Sequence, residues 1–467
     1  MLFGVKRLRQ RIRRIAALFL SAFSLASVAA ENNSPVSFKR DVAPILVQKC
    51  LGCHNAEKAK GNYRLHTFEE LLRPGSSRDT PITPGQPRQS RLFQLISARD
   101  ENDRMPQNDD ALPTADIELV RRWINEGAKY DAANPGLLLV TLAPPAHPKS
   151  PEVYPVAVPI TALAFHPNGE TLAASGYHEI TIWDSHSGKL ARRIPHVAQR
   201  TLSLAYSSDG SLLAAASGTP GRVGEVKLFN AASGDLVRTL ATIGDLELCV
   251  CFSPDGKRLA AGGADNAIRV WDVGSGKQEL VIEQHADWIL GLAFDPSGTM
   301  LASASRDKTA RVFDARTGEG ESSYQSHGEA VLDVAWRNTN TLCSVGRDRK
   351  IHVWSVKDAK KIAEFSGWDA DAPRLLVADE SIFTTCFDRN VREHSIEKKE
   401  LLRTLSGHRD VVYALASHSP SARLITGSYD GEVRVWNLKT GELLLKFFAA
   451  PGLRGDPEIL SASQRTR

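Results

Sequence analysis

The segment KCLGCHN, residues 49–55, sets Cys50, Cys53 and His54 in a C-x-x-C-H spacing. Three chemistries use cysteines this close together. A structural zinc site needs four ligands, usually from two such pairs. The other cysteines, Cys249, Cys251, Cys343 and Cys386, are scattered and form no second C-x-x-C. A thiol redox pair of the thioredoxin kind sits beside a βαβ pattern, which the flanking sequence does not have. The third chemistry is covalent haem attachment. Two intervening residues let one helical turn present both thiols to the two vinyl groups, and His54 then falls under the iron as an axial ligand. The chain's own Cys and His content predicts on the order of 0.002 chance matches, so the spacing is specific. It points to one covalent haem c held by Cys50 and Cys53.

A haem iron ligated by His54 needs a sixth ligand or an open position. Beyond Met1 the methionines are Met105 and Met300. Met300 lies in TMLASAS, an apolar strand pattern, and reads as core. Met105 lies in NDRMPQ, a polar loop 51 residues after His54, where a lone Met has little reason to sit unless it turns inward. His66 in YRLHTF competes for the role, and an open site is the third option. Met105 is the expected ligand.

These residues need a compartment and a scaffold. Residues 1–30 hold six basic residues (Lys6, Arg7, Arg9, Arg11, Arg13, Arg14) and no acid, followed by the apolar run IAALFLSAFSLASVAA. Small residues at Val28-Ala29-Ala30 precede a cut expected before Glu31, so the segment reads as an export signal, with a retained N-terminal anchor as the alternative. The apolar run is short for a span of roughly 20 residues, so no transmembrane span is expected after cleavage. The body of the protein is expected in the periplasm or another extracytoplasmic space, where thioether haem is attached. Without the leader, 52 basic residues face 54 acidic ones, turning a net charge of +4 into −2. A nucleic-acid partner, which requires a basic surface, is not expected.

At 467 residues the chain is expected to divide into several domains. Residues 31–130 show helical periodicity. FKRDVAPILVQKC puts Val42, Ile45 and Leu46 on one face with a break near Pro44. PTADIELVRRWINEGAKY starts on a Pro-Thr cap signal, spaces Ile117, Val120, Trp123 and Ile124 along one face, and ends at Gly127. Residues 131–159 carry seven prolines, which suits a semi-rigid extended linker or a wrap against the next domain.

From residue 160 to 450 the chain repeats. The anchors ITIWD, VKLFN, IRVWD, ARVFD, IHVWS, VREHS and VRVWN place Trp183, Phe229, Trp271, Phe313, Trp354, His394 and Trp436 at intervals of 46, 42, 42, 41, 40 and 42 residues. Alternating strands and Gly turns such as SPDG and RTGE flank them. Four strands per unit of this length is the propeller pattern, and the units resemble WD repeats. Seven units predict a seven-bladed β-propeller, followed by a tail at 451–467.

Over residues 38–130, FKRDVAPILVQKCLGCHN, GNYRLHT, PGQPRQSRLFQLI, RMP and IELVRRWINEGAKY occur in an order that resembles the planctomycete-type cytochrome c domain, a class I cytochrome c. The resemblance implies a small all-α fold, haem c on Cys50 and Cys53, and His54 and Met105 as axial ligands. Where that family most often has a short acidic residue after RL, this chain has His66, which keeps the bis-His alternative in view. The expected whole is thus an all-α cytochrome c domain followed by an all-β WD propeller.

Within the blades, His408, Ser428, Asp430 and Trp436 resemble the buried Asp–His–Ser–Trp chain of WD repeats. His285, Ser305 and Asp307 repeat most of it, and His327, Asp348 and Trp354 repeat it without the Ser. A set recurring once per blade is architecture, so no catalytic triad is expected. Cys249 and Cys251 share one strand face and read as buried thiols. His394, at a Trp position, reads as an irregular blade edge. The functional expectation is an electron carrier and not an enzyme. A Met/His-ligated iron would exchange one electron with redox partner proteins, and the propeller would serve as a protein-docking scaffold. The alternatives are a redox enzyme with its substrate site in the propeller and a haem-based sensory or structural module.

Overall fold

The computed structural model describes residues 34–56, 59–107 and 110–453. The expected signal at 1–30 lies outside the described residues, as does most of the tail. Among the described residues no helix is long and apolar enough to cross a membrane.

The N-terminal domain is built from short helices around one core. A π-helical turn, Phe38–Val42, runs directly into α1 (Ala43–Lys49). The break expected near Pro44 is this change of winding. Pro44 sits in the first turn of α1, where its missing N–H is not needed. Val42, Ile45 and Leu46 are all buried, as their spacing predicts. After α2 (Phe68–Leu71) and α3 (Arg91–Ile96), α4 (Thr114–Asn125) lays Val120, Trp123 and Ile124 into the core. Its cap residue is Pro113, and no side chain caps the helix, so Thr114 is its first residue and not its cap. Gly127, at φ +100°, ends it. Phe38 packs edge-on to Phe68 at 4.8 Å and against Trp123 at 5.3 Å. Full burial of each such ring contributes about 1.5–3 kcal/mol.

The proline-rich stretch lies against both domains. Its helix α5 (Leu139–Leu142) places Leu139 and Val140 in the same core as α1, and the Leu139 N–H donates to the His66 carbonyl at 2.8 Å. Further on, the Arg193 guanidinium donates to the carbonyls of Glu152 (3.0 Å) and Pro151, and Tyr154 O–H donates to Glu179 at 2.5 Å.

Among the described residues, 163–448 form seven four-stranded antiparallel sheets, each made of four consecutive strands. They form blades 1–7 over residues 163–194, 200–243, 247–282, 289–324, 331–365, 375–405 and 412–448. Every anchor sits in the third strand of its blade and is buried, from 0% exposed at Phe313 and Trp354 to 5% at Trp183. Each plugs the gap to the preceding blade: Phe229 joins a cluster with Ile180, Ile182 and Ile194 of blade 1, and Trp271 one with Val226 and Leu228 of blade 2. The ring closes by the same device. Trp183 and Phe165 pack with Ile425, Val433 and Val435 of blade 7, and the Ile160 N–H donates to the Ser428 carbonyl at 3.0 Å. Among the described residues no strand is exchanged between the first and last blades.

His394 corrects the expectation of an irregular edge. It lies in the third strand of blade 6, Val391–Ser395, with the same register shift towards the outer strand that flanks the other anchors, is 3% exposed, and packs its ring 5.0 Å from Phe365 and 5.8 Å from Trp368. It therefore fills the anchor position as an apolar ring would, and burial lowers its pKa to about 4.

Candidate functional site

Helix α1 hands its last turn to the cysteines. The Cys50 N–H donates to the Leu46 carbonyl at 2.9 Å, and the Cys50 carbonyl accepts from the N–H groups of both Cys53 and His54 at 3.2 Å. The segment is therefore one helical turn, which puts both thiols on adjacent positions with the imidazole next to them. His54 is then pinned from two sides. Its carbonyl accepts from the Leu65 N–H at 3.0 Å, and its Nδ1 lies 3.0 Å from the Tyr63 carbonyl oxygen. A carbonyl can only accept, so Nδ1 carries the proton and Nε2 keeps its lone pair for a metal. The Tyr63 ring stands edge-on at 5.6 Å.

The chemistry of the donors fits a haem and disfavours the rivals. Cys50 and Cys53 are free thiols, with Cys53 exposed and Cys50 partly buried. Burial, reinforced by Cys53, pushes the Cys50 thiol up to about 12, the opposite of the depressed value a thiol-exchange nucleophile needs. Among the described residues this turn belongs to no cluster of three or more His, Cys, Asp or Glu ligand atoms, as a structural zinc site would require.

Met105 is half-buried in the loop after α3, and its N–H donates to the Leu95 carbonyl at 3.0 Å. The rival His66 is also half-buried. Its Nδ1 is buried without a hydrogen-bond partner among the described residues, and burial lowers its pKa.

The same turn meets the propeller. Asn55, which follows His54, donates from Nδ2 to the Gly221 carbonyl of blade 2 at 3.2 Å. A Cβ placed on Gly52, between the two cysteines, would lie 3.5 Å from Arg222 Nε, an ordinary contact. Beside this junction, the end of α1, residues 145–148 and the tops of blades 1 and 2 enclose a cleft of 650 Å³. Sequence reading did not single out Arg222 or Asn55. One signal pointed to them: blade 2 takes 17 residues from the start of its second strand, Leu212, to its anchor Phe229, whereas blade 3 takes 13, from Arg258 to Trp271. Those four extra residues are the excess in the 46-residue interval, and they lengthen the hairpin whose tip touches the C-x-x-C-H turn.

Within the blades the recurring polar set exists, with a different hydroxyl from the one expected. In blade 7, Thr426 and not Ser428 links the pair: His408 Nε2 is 2.6 Å from Thr426 Oγ1, and Trp436 Nε1 donates to the same oxygen at 2.9 Å. Ser428 instead donates to the Asp410 carbonyl at 3.0 Å. In blade 4, His285 bridges Asp307 and Ser303, at 2.7 Å each, and Ser305 is not involved. Blade 5 does contain the hydroxyl: Ser344 lies 2.8 Å from His327 Nε2 and accepts from Trp354 Nε1 at 3.2 Å. In blade 7 the expected link from Asp430 to His408 is not made: among the described residues His408 Nδ1 is buried without a hydrogen-bond partner. The His, Thr or Ser, and Trp groups named here point into the blades, where they hold strands together. Cys249 and Cys251 are free thiols packed in one core cluster. At the axial mouth, Leu202, Leu248, Leu290 and Leu332 of successive inner strands line a hollow of 490 Å³. Arg374 reaches into the channel and donates to the carbonyls of Leu202 (3.0 Å) and Leu290 (3.4 Å).

Comparison with known families agrees with both halves. Residues 50–109 match the family described as Planctomycete cytochrome C. Residues 154–184, 236–272, 276–314, 318–355 and 399–437 match the WD domain, G-beta repeat. The first three strands of blade 2, with its lengthened hairpin, and of blade 6, with His394 as anchor, lie outside the matched residues. Among curated proteins, the chain is 34% identical over 62 residues to THO complex subunit 6 of Arabidopsis thaliana, covering 13% of this chain and 17% of that one. It is 30% identical over 104 residues to Protein tipD of Dictyostelium discoideum, covering 22% and 17%. The chain thus spans about a sixth of the length of these relatives. The cytochrome match implies haem c, and Cys50 and Cys53 lie inside it. The chain joins a planctomycete cytochrome C domain to a seven-bladed propeller of WD repeats.

Proposed function

We propose that this is an exported electron-transfer protein carrying one covalent haem c, with the propeller as a protein-docking scaffold. The observation that carries this reading is the His54 Nδ1 contact with the Tyr63 carbonyl at 3.0 Å, on a helical turn that also presents Cys50 and Cys53. That contact selects the tautomer with a free Nε2 and holds the ring against rotation, which is what an axial ligand needs. Cys50 and Cys53 would hold the haem through thioethers, and Met105 would supply the sixth ligand. The haem contributes Fe(II)/Fe(III) exchange, in which no bond at the protein need form or break. The chain's share is to fix the ligands, exclude water with the core around α1 and α4, and hold a propeller beside the attachment turn. The basic, then apolar, leader supports export, because thioether haem is attached outside the cytoplasm. WD propellers commonly present protein-binding faces, which supports a scaffold role.

Reductive titration of the full-length, haem-loaded protein tests the carrier reading. One electron per chain is expected. Uptake of further equivalents that persists after Cys249 and Cys251 are replaced by Ser would point to a second redox centre and to an enzyme.

A further inference from the structure

The lengthened hairpin of blade 2 places a cation against the cytochrome. The Arg222 side chain lies over Gly52, between the two cysteines: a Cβ placed on Gly52 would sit 3.5 Å from its Nε. Its position is fixed by a braced turn. The Gly221 N–H donates to Asp245 Oδ1 at 2.9 Å, the Arg222 N–H donates to the Thr219 carbonyl at 3.0 Å, and the Gly221 carbonyl accepts from Asn55. Among the described residues, Arg222 forms no ion pair. The charged groups around it are Lys49, which lines the same cleft, Asp245, whose oxygen is taken by the Gly221 and Leu246 N–H groups, and Glu225, already met by Lys227 at 2.8 Å and His147 at 2.7 Å.

From this geometry we infer that the propeller tunes the cytochrome: Arg222 is a positioning cation that raises the midpoint potential of the haem attached beside it. The inference rests on the haem reading above. Oxidation adds one positive charge to the haem, and a fixed cation next to the attachment turn repels that charge and favours the reduced form. Arg222 is exposed, so the effect is screened by salt. The lengthened hairpin of blade 2 then has a role that an ordinary blade connection could not fill.

Spectroelectrochemical titration of the full-length, haem-loaded protein tests this. Arg222→Gln should lower the ferrous-to-ferric ratio at a fixed poise by about threefold to tenfold at low ionic strength. Arg222→Glu should lower it further, Arg222→Lys should stay near the wild type, and the differences should shrink as salt is added. Each variant is checked for covalent haem on a denaturing gel and for an unchanged unfolding midpoint. Unchanged potentials in both Arg222→Gln and Arg222→Glu, with haem retained, would overturn the inference and leave the haem reading standing. A fall in Arg222→Lys as large as in Arg222→Gln would also overturn it, because packing and not charge would then be responsible. A wild type without covalent haem would remove the haem reading and this inference together.

Discussion

His147 Nε2 lies 2.7 Å from Glu225 Oε2, with side chains 6% and 2% exposed, and this contact ties the proline-rich segment to blade 2. Glu225 also meets Lys227 Nζ at 2.8 Å, so three polar groups share a nearly dry pocket. Breaking such a set costs far more than a surface pair, because the remaining charge stays buried. Glu225→Ala leaves the Lys227 ammonium, 7% exposed, without its counter-charge and with the His196 carbonyl at 2.8 Å as its remaining partner, and should destabilise the protein by about 3 kcal/mol. The check is the urea-unfolding midpoint, and a shift typical of a surface substitution would contradict this account of the junction.

The shared hydroxyl in blade 7 gives a sharper test. Thr426→Val keeps the shape of the side chain but removes the oxygen that serves both His408 and Trp436. Two buried N–H-bearing rings then lose a partner, and the loss should be about 2 kcal/mol. Thr426→Ser should retain most of the stability. If Thr426→Val unfolds at the wild-type denaturant concentration, the network is not held by this oxygen.

His394 makes the blade-5/blade-6 contact sensitive to acid. Its folded pKa of about 4 lies below its ordinary value of 6.5, with burial as the main cause and Arg392 adding to it. The folded protein therefore binds fewer protons than the unfolded chain between those values. Stability is full above pH 6.5 and falls as pH drops towards 4. His394→Phe keeps an apolar ring at the anchor and should recover about 2–3 kcal/mol at the acid end of that window relative to the wild type. Parallel acid limbs for the two proteins would contradict the assignment.

These three sites show what the sequence made legible. The seven anchors were readable because a blade cannot close against its neighbour without a large ring at one fixed strand position, and that requirement repeats. The C-x-x-C-H turn was readable because its spacing is local. The hydroxyl of the polar network was misplaced by two residues. Thr426 and Ser428 share a strand face, so periodicity alone cannot tell which of them reaches His408 and Trp436. His394 was misjudged because residue type suggested polarity, whereas its place in the repeat demanded burial. The seating of residues 138–154 on both domains depends on contacts between residues far apart in sequence, from 25 apart for Tyr154 and Glu179 to 78 apart for His147 and Glu225. No local pattern encodes it.

The sixth ligand is tested by substitution at both candidates. Met105→Ala in the haem-loaded protein should remove the weak near-infrared band of sulfur-to-ferric-iron coordination and lower the midpoint potential. His66→Ala should leave the band in place. The reverse pattern would assign the position to His66, whose buried Nδ1 lacks a hydrogen-bond partner among the described residues.

The central claim is that Cys50 and Cys53 hold a haem covalently, and intact mass under denaturing conditions tests it most directly. The full chain, produced with cytochrome c maturation, should carry the mass of one haem, and the Cys50→Ser, Cys53→Ser double variant should carry none. A wild-type chain at its bare polypeptide mass, with haem released by denaturant alone, would contradict the account.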